Sequence, residues 1–213
     1  RAIMLLRANV LARGCSGIRA SVVELLLAML NAGIWSPIPE QGSVGASGDL
    51  APLSHVALGL VGEGTLLRGD VERPAADVLR DAGLSPVTLE PKEGLALVNG
   101  TQAHTALAAL ALHDARILWN ASHITGAATL EALLGTPVAF DPRIHEVRGQ
   151  LGQLRSAALM RELLSDSEIR ESHRLGDPRV QDAYALRCMP QVHGPVLDAL
   201  DFAEGVVARE VNA

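Results

Sequence analysis

The chain has 213 residues, of which 48% are apolar and 2% aromatic, and its formal net charge at pH 7 is −6. The apolar content is enough for a sizeable core, and the many Ala and Leu residues favour helices packed through small and aliphatic side chains. The acidic balance and the lack of a basic run argue against a nucleic-acid-binding surface.

The cysteine content and the apolar runs bear on the cellular compartment in which we expect the protein. Cys15 and Cys188 are too few and too far apart to indicate a disulfide framework, so we expect two reduced thiols. The longest apolar run, residues 25–30, is too short to span a bilayer, and no signal-peptide pattern is visible. We therefore expect a cytoplasmic protein without a membrane partner. The helical pattern that starts at once at Arg1 predicts a piece of a longer polypeptide.

Helical periodicity dominates the first half of the chain, with apolar stripes that include Ile3, Leu6 and Val10 in the first helix. Glycines and prolines divide this half into short elements. Weak alternation about Arg68-Gly69-Asp70 predicts a hairpin. The predicted elements are helices over 1–13, 18–30, 50–61 and 75–82, a hairpin over 65–71, and a short strand over 87–89.

The second half is predicted to contain longer helices. A helix from Lys92 is interrupted at Asn99-Gly100, and the pattern then continues almost unbroken over 101–134. Helices are also predicted over 144–164 and 192–210, with a polar crossing segment over 165–180. We therefore predict an all-α fold, a bundle of long helices with one small β-hairpin-like excursion near 65–90.

Common catalytic and metal-binding motifs are missing. None of the seven histidines has the His-Glu-x-x-His spacing or a cysteine at metal-ligand spacing, so we expect no metal site. Ser47 is not in a Gly-x-Ser-x-Gly elbow, because position 49 is Asp. His55 is interpreted as a packed or hydrogen-bonded residue of the helix over 50–61.

One stretch, residues 42–55, contains the tripeptide Ala46-Ser47-Gly48 between glycines and just before a predicted helix that Ser47 or Asp49 can cap. Spacing alone favours a glycine-rich turn. The other interpretation is autocatalytic cyclisation. The Gly48 amide nitrogen attacks the Ala46 carbonyl carbon with loss of one water, and loss of the Ser47 hydroxyl as a second water leaves an exocyclic methylidene. Glycine suits the attacking position because it has no Cβ to block the approach.

Four motifs decide between these interpretations by resemblance. The sequence over 42–55 resembles the signature of the aromatic amino-acid ammonia-lyases. Three further motifs are similar, namely residues 92–101, Phe140-Asp141-Pro142-Arg143-Ile144-His145 and residues 181–188, and the segments Arg7-Ala8-Asn9 and Ser16-Gly17-Ile18-Arg19 match the family's approach helices. The resemblance covers the whole chain and implies one segment, 1–213, of the family's helical domain, without the N-terminal and C-terminal parts of the family fold.

The resemblance also implies a cofactor and site residues. Ala46, Ser47 and Gly48 would form the methylideneimidazolone (MIO) prosthetic group, and no external cofactor is needed. Asn99 would lie near the MIO and the substrate carboxylate, which Arg187 would bind. Tyr184 would transfer a proton or position the substrate, and Gln181 would complete a hydrogen-bonding stripe on the same helical face.

Within the family, the motifs are most similar to those of the bacterial members that act on histidine. The implied reaction is non-oxidative deamination of L-histidine to urocanate and ammonia in a homotetramer. Two alternatives stay open: a phenylalanine or tyrosine ammonia-lyase or aminomutase of the same family, and an inactive helical fragment with an uncyclised Ala-Ser-Gly. The family's loop tyrosine is missing here, since Tyr184 is the only tyrosine.

Overall fold

A computed structural model describes residues 1–42 and 50–213, so the tripeptide Ala46-Ser47-Gly48 and the predicted helix caps lie outside the described residues. The chain divides into two compact units. Unit 1 comprises residues 1–109 and 207–213, and unit 2 comprises residues 110–206. The described elements are mainly helices with one small sheet, which confirms the predicted all-α class.

Unit 1 is a set of short helices around an aliphatic core, with a three-stranded antiparallel sheet of order β1-β2-β3. Its buried residues include Val22, Leu26, Leu60 and Leu97. The elements are α1 (Ala2–Ala12), α2 (Ala20–Asn31), β1 (Ile34–Trp35), α3 (Leu50–Leu60), β2 (Thr65–Arg68), β3 (Val71–Pro74), α4 (Ala75–Asp81), α5 (Glu93–Val98) and the first part of α6 (Gln102–Ala132).

The hairpin β2–β3 is confirmed, but the strand predicted over 87–89 is wrong. The backbone N–H of Val87 donates to the carbonyl of Leu60, so this segment is tied to the end of α3 and not to the sheet. The third strand is β1 instead, with Ile34 opposite Arg68 and Trp35 opposite Leu67.

The buried face of α1 also differs from the predicted stripe. Met4, Arg7, Ala8 and Leu11 are buried, whereas the predicted stripe of Ile3, Leu6 and Val10 is only partly buried. The observed buried face thus includes an arginine, Arg7.

Unit 2 continues α6 and adds a 3₁₀ turn (Pro137–Phe140), α7 (Pro142–Arg148), α8 (Leu151–Leu163), α9 (Glu168–Ser172), α10 (Tyr184–Arg187) and most of α11 (Met189–Val211). The helix predicted over 144–164 is in fact two helices. Gly149 ends α7 in the left-handed conformation (φ 65°), and its N–H donates to the carbonyls of His145 and Glu146.

Helices α8 and α11 cross at two glycines. A Cβ added to Gly152 would lie 2.1 Å from the carbonyl oxygen of Gly194, and one added to Gly194 would lie 2.4 Å from the backbone nitrogen of Gln153. The two backbones therefore touch where neither residue has a side chain. The core beside this crossing contains Phe140 and Met160.

The helical stretch Glu93–Ala132 is long and apolar enough to span a membrane by length and composition alone. One such stretch is weak evidence for a membrane-spanning helix, because core helices of water-soluble proteins pass the same test. This stretch is broken between Val98 and Gln102, and its Arg116 forms ion pairs with Asp201 and Glu204.

Candidate active site

Asn99 lies at the break between α5 and α6, as its motif predicts. It follows the last residue of α5 with an extended backbone (φ −92°, ψ 99°), and its N–H donates to the carbonyl of Leu95. The residue is exposed, and within the described residues its side-chain amide makes no hydrogen bond. The amide is therefore available to a ligand.

The start of α5 is fixed by the motif over 16–19. The Glu93 carboxylate is buried and accepts two hydrogen bonds from the Arg19 guanidinium, from Nε at 2.9 Å and from Nη2 at 2.7 Å. It also accepts the backbone N–H groups of Arg19 at 3.0 Å and Glu90 at 2.7 Å. These donors, with Arg19 first, lower the pKa of Glu93 to about 2. The carboxylate stays ionised and holds α5 to the segment before α2.

The residue before α5 carries backbone strain. Lys92 has φ 77°, in the left-handed region that side chains with a Cβ disfavour. Its ammonium group donates to the carbonyl of Ser16 at 2.6 Å. Strain of this kind is typical of positions that surrounding structure must hold in place.

The end of α5 is fixed by Arg7 of α1. Its guanidinium donates to the Gln102 side-chain oxygen at 2.6 Å, to the carbonyl of Asn99 at 3.0 Å and to the carbonyl of Ala96. Residues of three separate segments, 7–9, 16–19 and 92–101, thus meet around α5. Their hydrogen bonds hold both ends of the segment that presents Asn99.

Helix α5 also packs against α3. Leu60 of α3 and Leu97 of α5 belong to the same buried cluster. Gly48 precedes the first residue of α3, Leu50, by two positions in the sequence, so the tripeptide is joined directly to a helix that contacts α5. His55 on α3 is partly buried and lines a small cavity together with Ile38.

The other predicted site residues lie in unit 2. A cavity of about 380 Å³ is lined by Gln181 and Arg187, with Thr136, Ile144 and Gln191 among its other walls. Tyr184 is 73% exposed, and its ring centre lies 5.6 Å from the Arg187 guanidinium carbon. The structure therefore brings Gln181 and Arg187 to one cavity and leaves Tyr184 beside Arg187.

The helical stripe predicted for these three residues is wrong in its geometry. Helix α10 begins only at Tyr184, and Ala183 before it is extended (φ −55°, ψ 145°). Gln181 lies at a bend before the helix. It reaches the cavity because the chain turns there, and not because it shares a helical face with Arg187.

Asp182 is the reason for that turn. Its side chain is buried and accepts the backbone N–H of Thr136 at 2.6 Å, while its own carbonyl accepts Arg187 Nε at 2.9 Å. Arg187 is thereby anchored through Nε. Among the described residues no carboxylate pairs with its two terminal nitrogens. A guanidinium held this way presents an open fork to an anion.

Two other lining residues of the cavity, Ala139 and Ile144, are next to His145 by hydrogen bond or in sequence, and His145 is the last residue of the Phe140–His145 motif. Its ring is buried, with Nε2–H donating to the carbonyl of Ala139 at 3.1 Å and Nδ1 accepting from Gln153 at 2.9 Å. Burial lowers the pKa of His145, so the ring stays neutral in this tautomer. Arg161 adds a bond of 2.6 Å to the carbonyl of Phe140.

No cluster of His, Cys, Asp or Glu suited to a metal ion occurs among residues 1–42 and 50–213. In unit 2, the Tyr184 phenol and the Arg187 guanidinium have no carboxylate partner among the described residues. These groups recognise an anionic, hydrogen-bonding small molecule better than a cation.

Comparison with known proteins identifies the family. The family model described as aromatic amino acid lyase matches residues 1–213. The chain belongs to the aromatic amino acid lyase family. This confirms the resemblance read from the motifs, and with it the group of MIO-dependent lyases.

Curated relatives of this aromatic amino acid lyase chain are longer proteins. Histidine ammonia-lyase of Anaeromyxobacter sp. (strain K) is 55% identical over 100% of the chain and 44% of the relative. Histidine ammonia-lyase of Deinococcus radiodurans is 55% identical over 99% of the chain and 40% of the relative. The chain thus spans less than half the length of these relatives.

Solved structures agree with the lyase fold. The crystal structure of histidine ammonia-lyase from Trypanosoma cruzi superposes with a TM-score of 0.88 at 42% identity, over 99% of the chain and 38% of the other protein. Phenylalanine aminomutase of Pantoea agglomerans has a TM-score of 0.90 at 34% identity, over 99% and 44%. The fold is therefore shared by relatives whose names give different reactions.

The motifs predict roles for Asn99, Gln181, Tyr184 and Arg187 but none for Arg7 or Asp182. The sequence does contain a signal for a special role of Arg7, because it lies between Met4 and Leu11 on one helical face, where a charged residue is unusual. The sequence contains no such signal for Asp182, because its hydrogen-bond partner Thr136 is 46 residues away in the sequence.

Proposed function

We propose that the protein containing this chain catalyses the non-oxidative deamination of L-histidine to urocanate and ammonia. The observation that carries the proposal is the identity of 51–55% to six proteins named histidine ammonia-lyase, over nearly the whole chain. Tyrosine aminomutase of Streptomyces globisporus, at 37% identity, and phenylalanine aminomutase of Pantoea agglomerans, at 34%, are more distant.

The cofactor of this reaction is MIO, formed from Ala46, Ser47 and Gly48. The tripeptide has the required composition, and it precedes a helix that packs on α5. When formed, MIO supplies an electrophilic carbon that no ordinary side chain offers. The amide of Asn99, without a hydrogen-bond partner among the described residues, fits a role beside such a group and the substrate.

Arg187 binds the substrate carboxylate in this proposal. Its Nε is occupied by the Asp182 carbonyl, so the terminal nitrogens point their donors to the ligand. Gln181 adds a hydrogen bond in the same cavity. Tyr184 lies next to the guanidinium, where its hydroxyl can position the substrate or transfer a proton.

The remaining properties follow from the same family membership. We infer a soluble, cytoplasmic homotetramer, without a nucleic-acid or membrane partner, that acts on a small amino acid. Residues from outside this chain complete the site, since Tyr184 is its only tyrosine and the family uses a second tyrosine on a loop.

The test is a substrate comparison with the full-length protein. L-histidine, L-phenylalanine and L-tyrosine are supplied separately, and urocanate, cinnamate and coumarate are followed by their ultraviolet absorbance. Urocanate should form fastest. Cinnamate or coumarate without urocanate would overturn the histidine assignment in favour of the other lyases. A β-amino acid product would instead indicate an aminomutase.

Intact mass separates an active enzyme from an inactive helical protein. A chain lighter than its sequence by two water molecules has formed MIO. An unmodified mass together with no deamination would support the inactive alternative.

A further inference from the structure

Arg7 is an unusual residue for the interior of unit 1. Its side chain is 3% exposed, and no carboxylate of the described residues pairs with it. Burial alone lowers the pKa of Arg7. A buried charge without a counter-charge is costly, and an aliphatic side chain would fill the same space more cheaply. The guanidinium must therefore be retained for the groups that it contacts.

Those groups all belong to the break that presents Asn99. Ala96 and Asn99 contribute carbonyl oxygens at the end of α5, and Gln102 contributes its side-chain oxygen at the start of α6. Carbonyls at a helix C-terminus carry partial negative charge, which a cation stabilises. One planar group thus bridges the last turn of one helix and the first residue of the next.

Gly100 shows how closely the backbone fits this guanidinium. A Cβ added there would lie 2.1 Å from Arg7 Nη1 and 2.1 Å from the Gln102 side-chain oxygen. The chain after Asn99 therefore runs directly against Arg7, with no room for a side chain. Movement of the guanidinium would change the space into which the 99–100 peptide fits.

We propose that Arg7 is a positioning residue: it fixes the backbone at Asn99 and so sets the direction of the Asn99 amide towards the substrate. This inference rests on the proposed function, because it assumes that Asn99 contacts the ligand. Arg7 itself touches neither substrate nor cofactor. Lysine cannot replace it, because an ammonium cannot reproduce the planar fork that reaches all three acceptors.

Hydrogen exchange of the full-length protein tests the holding role directly. In Arg7→Lys, amides in a peptide covering residues 96–105 should exchange about tenfold faster or more, because charged hydrogen bonds to the break are lost. Peptides from α2 and α4 should be unchanged. Arg13→Lys is the matched control, since exposed Arg13 follows the same helix and its guanidinium donates, among the described residues, to the carbonyl of Asn212 and not to the break at Asn99. Unchanged exchange at 96–105, or equal acceleration throughout unit 1, would overturn the proposal.

Kinetics test the consequence. In Arg7→Lys, kcat should fall on the order of 100-fold, as expected for a misplaced contact group, with a smaller change in KM. In an Asn99→Ala background the same substitution should change kcat by no more than about twofold, since its effect passes through Asn99. If the two substitutions instead lower kcat independently, so that their fold-losses in kcat multiply, the positioning role is refuted. The exchange experiment needs no substrate. If the protein forms no urocanate, the proposed function is refuted, and the exchange experiment alone then decides whether Arg7 holds the break.

Discussion

The contact between α8 and α11 predicts a large effect for one added methyl group. In Gly194→Ala the new Cβ would lie 2.4 Å from the nitrogen of Gln153, 2.6 Å from its Cα and 2.8 Å from the carbonyl carbon of Gly152. All three neighbours are backbone atoms of the other helix, so none can turn away as a side chain could. Because non-bonded carbon contacts are optimal near 3.5–4.0 Å, the helices must separate by about 1 Å.

The size of the effect follows from two opposing contributions. Overpacking a core costs about 1–3 kcal/mol, and a rigid backbone neighbour places this case at the upper end. Alanine in a helix recovers about 0.5–1 kcal/mol relative to glycine. The free energy of unfolding should therefore fall by about 2 kcal/mol. Separation would also loosen the packing of the buried residues Ser156 and Met160 on α8.

Thermal unfolding of the full-length protein, followed by circular dichroism, is the assay. Gly94→Ala is the matched control, because a Cβ at this helical glycine would meet only the Leu89 side chain at 3.9 Å. Gly194→Ala should lower the melting temperature by several degrees, whereas Gly94→Ala should leave it unchanged or raise it slightly. If Gly194→Ala melts at or above the control, the close backbone contact of the two helices is refuted.

Three further predictions concern the site. Ser47→Ala should abolish deamination and one of the two water losses from the intact mass while helix content stays nearly constant; retained activity would refute the MIO mechanism. Arg187→Ala should lower kcat/KM by at least about tenfold, because a hydrogen bond to a charged group contributes about 1.5–3 kcal/mol, whereas Arg155→Ala on α8 should not. Glu93 has its pKa lowered to about 2, from 4.5, by Arg19, so its stabilising contribution is complete above pH 4.5 and is lost as the pH falls towards 2. Glu93→Gln should flatten acid unfolding over that range, and an unchanged profile would contradict the ionised pair.

Local patterns were enough to locate the long helices and the break at Asn99. Periodicity, glycines and prolines act within a few residues of one another, so the sequence contains that information directly. The prediction of a strand over 87–89 was wrong because an alternating pattern does not specify the strand with which a segment pairs. The Val87 N–H bonds to the Leu60 carbonyl, and β1, which has only two residues, takes the free edge of β2.

The segment before α10 shows a second limit. Spacing of three residues between Gln181, Tyr184 and Arg187 is typical of one helical face. A helix through 181–183 would, however, remove the Asp182 carboxylate from the Thr136 N–H and the Asp182 carbonyl from Arg187 Nε. These contacts join residues up to 46 positions apart, so no local pattern contains them. The site is formed by a turn held from outside the segment.

The face of α1 is the clearest case in which function explains a failure of sequence reasoning. Hydrophobicity favours burial of Ile3, Leu6 and Val10, yet the helix is rotated so that Arg7 faces the interior beside Met4 and Ala8. Rotation by one position still buries Met4, Ala8 and Leu11 and adds the three hydrogen bonds of Arg7 to the break at Asn99. A helix selected only for packing would bury the aliphatic stripe and leave the arginine in water. The buried charge indicates instead that α1 is oriented to hold the turn that presents Asn99.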